Sequence, residues 1–135
     1  SAHPCNRERN CMKIFRIVAA AFTAFTLAAG TAGAADAIKG KKVYNKCKAC
    51  HALKAGKNKV GPSLHGIMGR KAASVPKFKY SKAMKNSGLT WDEATLRKYL
   101  KKPRAFLKGT RMSFAGIKKE KDMDNLIAYL KQVTN

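Results

Sequence analysis

The chain has 135 residues, with 29 Lys and Arg side chains against 7 Asp and Glu, and a formal net charge of +22 at pH 7. This length predicts one domain with a limited hydrophobic core. Such a basic balance predicts an anionic partner, in the classes of nucleic acid, acidic protein surface or anionic membrane.

Residues 12–34 have the organisation of a secretory signal peptide. A basic segment, 12–16, precedes the alanine-rich apolar run 17–29, and small residues follow at 32–34. This pattern predicts export and cleavage after Ala34. An uncleaved membrane anchor is the alternative, but the apolar run is short for the ~20 residues that a membrane-spanning helix needs.

The sequence on either side of the predicted signal peptide bears on where the protein starts and where it is cleaved. Residues 1–11 do not fit a signal peptide, so Met12 is interpreted as the start and 1–11 as a non-native upstream extension. A weaker cleavage site follows Ala37.

The mature domain is predicted to be 35–135, with a net charge of +19 because residues 1–34 contribute +3 of the +22. An exported protein rarely meets nucleic acid, so we favour an acidic protein surface or an anionic membrane as the partner.

The first helix is predicted over 36–46 and leads directly into Cys47-Lys48-Ala49-Cys50-His51. Three of its apolar residues are expected to face inward: Ile38, Val43 and Tyr44. Cys47 and Cys50 lie on one side of a helical turn, where they can form thioether bonds to two vinyl groups of a porphyrin. His51 is then held under the iron and can supply the proximal ligand. The pattern predicts one covalently bound haem c.

A Cys-x-x-Cys pair has two other uses, in zinc binding and in thiol redox chemistry. Zinc normally needs a second pair of ligands, and the only other cysteines are Cys5 and Cys11, in the extension. A thioredoxin-type thiol pair should follow a strand in a βαβ pattern, and the sequence has no such pattern. Haem attachment is therefore favoured.

Loops and a short helix are predicted for the middle of the chain. Residues 52–79 are rich in Gly, Pro and Lys, which indicates long loops with one short turn near 64–68. A short helix is expected at 80–86, ending before Gly88.

The last third contains two further predicted helices. Thr90 is interpreted as an N-cap, with Glu93 three residues later as in a capping box. That helix is expected to run to about Lys101 and to be ended by Pro103, with a loop over 102–114. The final helix is predicted over 119–133, with one apolar stripe formed by Met123, Leu126, Ile127, Leu130 and Val133.

A haem iron that carries electrons is usually six-coordinate, so a second axial ligand is expected. The candidates within the mature domain are Met68, Met84, Met112, Met123 and His65. Met123 lies on the apolar stripe, and His65 is interpreted as a structural residue because it lies close to His51 on a Gly-Pro loop. Met112 lies in a polar loop without an obvious core role, so position alone makes it the first candidate for the second ligand. Met68 and Met84 remain as alternatives.

From about residue 36 to 134, the chain resembles the small class I cytochromes c, of the mitochondrial and bacterial cytochrome c2 types. The matching runs, in order, are 40–42, 47–51, 61–66, 69–71, 85–91, 109–112, 114–119 and 124–130. The resemblance implies an all-α class I cytochrome c fold, in which three to five helices and loops wrap around one covalently bound haem.

The resemblance also implies roles for individual residues. It implies that Met112 is the distal ligand and that the Pro62 carbonyl accepts the second ring N–H of His51. It places Arg70, Tyr80 and Trp91 at positions that hydrogen-bond a buried haem propionate. It places Tyr99 and Thr110 near the methionine sulfur and the inner propionate.

The family carries a cationic ring around the exposed haem edge, where redox partners dock. The resemblance places six residues in it, referred to below as the docking ring: Lys46, Lys59, Arg104, Arg111, Lys118 and Lys119. Two residues depart from the family pattern. Lys108 stands where proline is usual, which is expected to loosen the methionine loop. Met84 replaces a polar residue in the haem pocket, which is expected to shift the reduction potential.

The resemblance therefore predicts a soluble periplasmic electron carrier, not an enzyme. It shuttles single electrons between a quinol–cytochrome c reductase and a terminal oxidase or photosynthetic reaction centre. We expect a monomer that docks on acidic faces of membrane redox complexes, without small-molecule substrate or nucleic acid; its charge is compatible with peripheral contact with an anionic membrane. The alternative is a peroxidase-like haem enzyme or ligand-binding cytochrome with an open distal site, against which Met112 argues.

Overall fold

The structure is a computed structural model in which residues 35–134 are described. The predicted extension and signal peptide lie outside the described residues. The helices of this part are α1 (Ala37–Tyr44), α2 (Lys82–Lys85), α3 (Glu93–Lys101), α4 (Pro103–Phe106) and α5 (Glu120–Val133). Within it, β-type pairing is confined to one isolated bridge between Lys71 and Thr90. Among residues 35–134, none of the helices combines the length and the hydrophobicity that a membrane-spanning segment requires.

Helix α1 begins at a side-chain cap and packs through a glycine. Asp36 Oδ1 accepts hydrogen bonds from the backbone N–H groups of Ile38 and Lys39, at 2.9 and 3.1 Å. Val43 and Tyr44 are buried as predicted, but Ile38 is 80% exposed, so its predicted inward orientation is wrong. Gly40 lies on the face of α1 that packs against Asn125 and Tyr129. Ile38 is two positions before Gly40, so its side chain points to nearly the opposite side of the helix.

The crossing of α1 and α5 depends on the small size of Gly40. A Cβ atom at this position would lie 2.0 Å from the Asn125 carbonyl oxygen. The Asp36 N–H also donates to Asn125 Oδ1 at 2.7 Å, and the rings of Tyr44 and Tyr129 pack with centroids 5.5 Å apart. These contacts hold the two ends of the domain together and place the turn after α1 beside the core.

Helix α3 begins two residues later than the sequence indicated. Its N-cap is Asp92, whose Oδ1 accepts from the Thr95 N–H at 2.7 Å, so the predicted cap at Thr90 and its capping box with Glu93 are wrong. Thr90 is held in the extended bridge with Lys71, which keeps the backbone out of the helical region.

The end of α3 and the following segment differ in part from the prediction. Helix α3 ends at Lys101 as expected, but Pro103 then opens the one-turn helix α4 inside the predicted loop 102–114. Proline is compatible with the first helical turn, where its missing N–H would have no helical partner. The predicted short helix at 80–86 is confined to α2 and is capped by Ser81.

Helix α5 supplies the largest part of the core. Four residues of its predicted apolar stripe are buried, namely Met123, Leu126, Ile127 and Leu130, whereas Val133 is half-buried. Ion pairs join α5 to α3: Arg97 lies 2.6 Å from Asp124, and Lys131 lies 2.5 Å from Glu93. The described end of the chain is also anchored, since the Gly66 N–H donates to the Thr134 carbonyl at 2.6 Å.

Candidate cofactor-binding site

A cavity of about 360 Å³, called the central cavity below, lies between the turn after α1, the long middle loops, α3 and the segment 110–114. It brings together every cofactor- and iron-binding residue predicted from the sequence: Cys47, Cys50, His51, Pro62, Arg70, Tyr80, Trp91, Tyr99, Thr110 and Met112. Residues far apart in the chain thus line one cavity.

The turn after α1 places both thiols and the imidazole along the wall of the cavity. The Cys47 N–H donates to the Tyr44 carbonyl at 2.8 Å, and the N–H groups of Cys50 and His51 donate to the Cys47 carbonyl at 3.0 and 2.9 Å. This bonding continues the helical path of α1 through the motif. Cys47 is half-buried and Cys50 is exposed.

The surroundings of this turn do not suit the two alternative uses of the cysteines. Burial raises the pKa of the Cys47 thiol to about 11, whereas thiol redox pairs of the thioredoxin type depend on a lowered pKa. Within residues 35–134, no group of three or more His, Cys, Asp and Glu side chains could hold a metal ion. Zinc coordination of the Cys/His type therefore lacks ligands in the described part of the chain.

The His51 ring is held in one orientation. Its Nδ1 lies 2.8 Å from the Pro62 carbonyl oxygen, and Gly61 packs so closely that a Cβ there would lie 2.3 Å from ring atom Cε1. Burial lowers the pKa of His51, and the nearby Lys59 charge lowers it further, against the opposing effect of the Pro62 hydrogen bond. The ring is therefore neutral at pH 7, which is the form that binds metals.

Three residues with predicted propionate contacts come from the loops and the approach to α3. The Arg70 guanidinium donates to the backbone carbonyls of Ser63, at 2.9 Å, and of His65. The Tyr80 hydroxyl accepts from the Val75 N–H at 3.3 Å, which leaves its own proton free to donate. Trp91 is buried against Tyr99, with ring centroids 5.1 Å apart.

A hydroxyl pair supports the segment that carries Met112. Tyr99 Oη and Thr110 Oγ1 lie 2.8 Å apart, and Thr110 Oγ1 accepts from the Met112 N–H at 3.3 Å. Gly109 has a φ of 88°, a conformation that glycine adopts without strain. The chain therefore turns sharply just before Met112, whose side chain is half-buried at the cavity.

The cavity separates the candidates for the second axial ligand. Met112 and Met84 both line it. Met123 is 2% exposed in the core, Met68 packs against the core from outside the cavity, and His65 is exposed. These positions agree with the interpretation of Met123 and His65 as structural residues. Met84 and Met112 remain as candidates for the second iron ligand.

Sequence comparison now identifies the family of the chain. Residues 37–134 match the sequence model of the family described as Cytochrome c. The chain belongs to the cytochrome c family. The class I cytochrome c fold implied by the resemblance is thereby confirmed, and the helices of the described range agree with it.

Individual cytochromes support this assignment. Cytochrome c-550 of Bradyrhizobium diazoefficiens is 54% identical over 97 residues, which cover 71% of this chain and 71% of that protein. Cytochrome c2 of Blastochloris viridis is 48% identical over 114 residues, covering 82% of this chain and 90% of that protein. A solved structure, cytochrome cH from Methylobacterium extorquens, is 46% identical with a TM-score of 0.67, covering 72% of this chain and 98% of that chain.

This cytochrome is therefore an electron carrier of the class I bacterial type, and its partners are redox proteins. Its haem c is attached covalently through Cys47 and Cys50, as the motif predicted. The central cavity fits this cofactor in its donor set and its lining. Apolar side chains form much of the wall, namely Leu64, Ile67, Leu96, Leu100 and Phe114.

The charge of the cavity also suits the cofactor. Four cationic side chains line it, Lys46, Arg70, Lys79 and Arg111, and no Asp or Glu of residues 35–134 does. Haem brings its own carboxylates, which these cations can neutralise. Lys79 and its neighbour Phe78 were not predicted as site residues; their only signal in the sequence is that they directly precede Tyr80.

The six residues of the docking ring are all exposed. Lys46 and Arg111 line the central cavity, and Arg104 donates to Ser113 Oγ at 3.0 Å. Lys59 donates to the Lys48 carbonyl at 2.6 Å. None of the six forms an ion pair with a carboxylate of the described residues, so their charges remain available to a partner.

Proposed function

We propose that this cytochrome is a soluble periplasmic electron carrier whose iron is held by His51 and Met112. It shuttles single electrons between a quinol–cytochrome c reductase and a terminal oxidase or photosynthetic reaction centre. The observation that carries this proposal is the convergence of the two thiols, the neutral imidazole of His51 and the thioether of Met112 on one cavity.

Each side chain has a distinct part in this proposal. Pro62 orients His51 through the Nδ1 hydrogen bond, so that the second ring nitrogen is free to bind iron. Thr110 and Tyr99 hold the backbone at Met112. A haem with one nitrogen and one thioether ligand supplies reversible one-electron chemistry at a raised potential, because soft sulfur favours Fe(II).

His51 and Met112 would together hold the iron, which would leave no open position for a substrate and argues for transfer without catalysis. The roles of Arg70, Tyr80 and Trp91 toward a propionate are part of the same proposal. They are supported by the free Tyr80 proton and by the cationic lining, which no carboxylate of the described residues offsets.

Processing and location are proposed on the sequence pattern. Residues 1–11 are an upstream extension, 12–34 a signal peptide cleaved after Ala34, and 35–135 the mature domain. The described fold supports cleavage at this point, because Asp36 caps α1 and its N–H binds Asn125. Intact mass of the periplasmic protein should equal 35–135 plus one haem.

Docking is proposed to be electrostatic and brief. The docking ring meets acidic faces of membrane redox complexes, while the cytochrome itself stays monomeric and contacts anionic membrane only peripherally. Small, charge-steered interfaces suit a carrier that must bind and leave repeatedly.

The experiment that tests the proposed function follows electron flow through the purified holoprotein. We expect rapid reduction by a solubilised quinol–cytochrome c reductase and re-oxidation by membranes that contain the terminal oxidase or reaction centre. Failure at both steps, together with turnover of peroxide, would overturn the proposal in favour of a peroxidase-like haem enzyme.

A further inference from the structure

A second hollow, of about 530 Å³, lies on the far side of the Tyr99 ring from the central cavity, where Phe106 packs against it. It is called the lysine hollow here and is lined by Lys98, Lys101, Lys102, Phe106, Ala115 and Lys118. Three separate segments form it, namely the end of α3, helix α4 and the segment 115–118. None of its residues lines the central cavity.

The walls of the lysine hollow are held rigidly. Gly116 has a φ of 96°, and a Cβ there would lie 2.1 Å from the Lys101 carbonyl oxygen. The Ile117 N–H donates to the Leu100 carbonyl at 2.9 Å. The segment that carries Ala115 and Lys118 is therefore fastened onto the end of α3, and the hollow is preformed.

The floor of the hollow is apolar. Phe106 is 37% exposed, and its ring packs edge-on against buried Tyr99, with centroids 6.2 Å apart. Ala115 adds one methyl group beside it. Phe106 and Ala115 are the apolar side chains of this lining, whereas a membrane-binding face buries a broad apolar strip along a helix.

The rim of the hollow is strongly cationic. Lys101 lies 2.8 Å from Glu120, while Lys98, Lys102 and Lys118 form no ion pair with a carboxylate of residues 35–134. Lys98 and Lys101 lie in the last turn of α3, where a helix favours cations, but this does not account for Lys102 or Lys118. Lys118 also belongs to the docking ring, so the two surfaces are continuous.

We propose that the lysine hollow is a second contact surface for an acidic protein segment, one that inserts a single apolar side chain against Phe106 and places carboxylates on the surrounding lysines. Charge complementarity and continuity with the docking ring favour a protein partner, and the small apolar floor disfavours a lipid chain. The proposal extends the docking surface and does not depend on which side chains bind iron.

The test uses the holoprotein and a synthetic blocked peptide in which one leucine is flanked by glutamates. Binding is followed by amide shifts in ¹H–¹⁵N spectra and by titration at low and physiological ionic strength. We expect the largest shifts at the lysine hollow, and a peptide with serine in place of leucine should bind about fivefold more weakly.

Two charge-reversal variants distinguish peptide binding at the lysine hollow from general electrostatic attraction to a basic protein. Lys102→Glu should weaken peptide binding about fivefold. Lys71→Glu carries the same change of net charge and should weaken it much less, because Lys71 pairs with Thr90 beside the other end of α3. Equal losses in both variants, equal binding of the serine peptide, or binding only to anionic phospholipid vesicles would each overturn the proposal.

Discussion

The Nδ1 atom of His51 lies 2.8 Å from the carbonyl oxygen of Pro62. A carbonyl only accepts hydrogen bonds, so this ring nitrogen carries the proton and the other retains its lone pair. Gly61, directly before Pro62, leaves the space that the ring occupies. The loop therefore sets both the tautomer and the position of the imidazole before iron is bound.

Gly61→Ala tests this arrangement. Its Cβ would lie 2.3 Å from His51 Cε1, so the ring or the loop must move. We expect a low yield of holoprotein and a clearly lowered Tm, measured from the haem absorbance per polypeptide and by thermal unfolding. Gly56→Ala is the control: it meets no atom within 4 Å, and its φ of 69° should cost only about 1–2 kcal/mol. Equal behaviour of both variants would contradict the proposed role of Gly61.

The pH dependence of stability should report on Asp92. A hydrogen bond from the Thr95 N–H is the main cause that lowers the pKa of this carboxyl in the folded state. A lowered pKa gives stability that is present above the unfolded value of about 4 and is lost as the pH falls through the folded pKa. Asp92→Asn keeps a capping group but does not titrate, so its Tm should fall less steeply between about pH 5 and pH 2.

The matched variant Asp92→Ala removes the cap at all pH values. We expect its Tm to be lower by about 5 °C at pH 7. Thermal unfolding of the three proteins across a pH series measures both effects. An unchanged acid slope in Asp92→Asn would mean that other carboxyls control acid unfolding.

Lys79 should raise the reduction potential. Its side chain lines the central cavity, and a nearby positive charge disfavours the oxidised, more positive iron. Lys79→Gln is expected to lower the potential by about 20–30 mV, a twofold to threefold change at ~59 mV per tenfold. Lys77→Gln changes an exposed lysine of the same loop that does not line the cavity, and redox titration should show a much smaller shift. Equal shifts in the two variants would assign the effect to net charge.

The docking ring should steer association. Exposed charges act over a Debye length of ~8 Å at physiological salt, so the rate with an acidic partner should fall steeply as ionic strength rises. Charge reversal at Lys46 or Lys118 should slow stopped-flow electron transfer more than reversal at Lys71, the control beside the N-terminus of α3. Equal losses at all three positions would show that no directed face exists.

Much of the site could be predicted because its chemistry is local in the sequence. The spacing of Cys47, Cys50 and His51 defines one helical turn, and the structure places that turn on the cavity wall. Local sequence pattern was not enough to predict Met112 as the second iron ligand, because Met84 has the same side chain and lines the same cavity. Loop position and family resemblance favour Met112, but periodicity cannot rank two thioethers.

The errors of the sequence-based prediction arise from tertiary contacts. Ile38 was predicted to face inward because it is apolar, but it is exposed. The close contact between Gly40 and Asn125 determines which face of α1 is buried. Thr90 and Asp92 are both good capping residues, and only the bridge to Lys71 shows that the chain is still extended at Thr90. Such pairings join segments distant in sequence and leave no local pattern.

We propose that Met112, rather than Met84, would hold the haem iron of this electron carrier together with His51. The measurement is the optical spectrum of oxidised and reduced holoprotein for the native chain, Met112→Ala and Met84→Ala. We predict that Met112→Ala loses the weak charge-transfer band at the red end of the oxidised spectrum, has a lower potential and acquires peroxidase activity, while Met84→Ala keeps the band. Survival of the band in Met112→Ala with its loss in Met84→Ala would contradict the account.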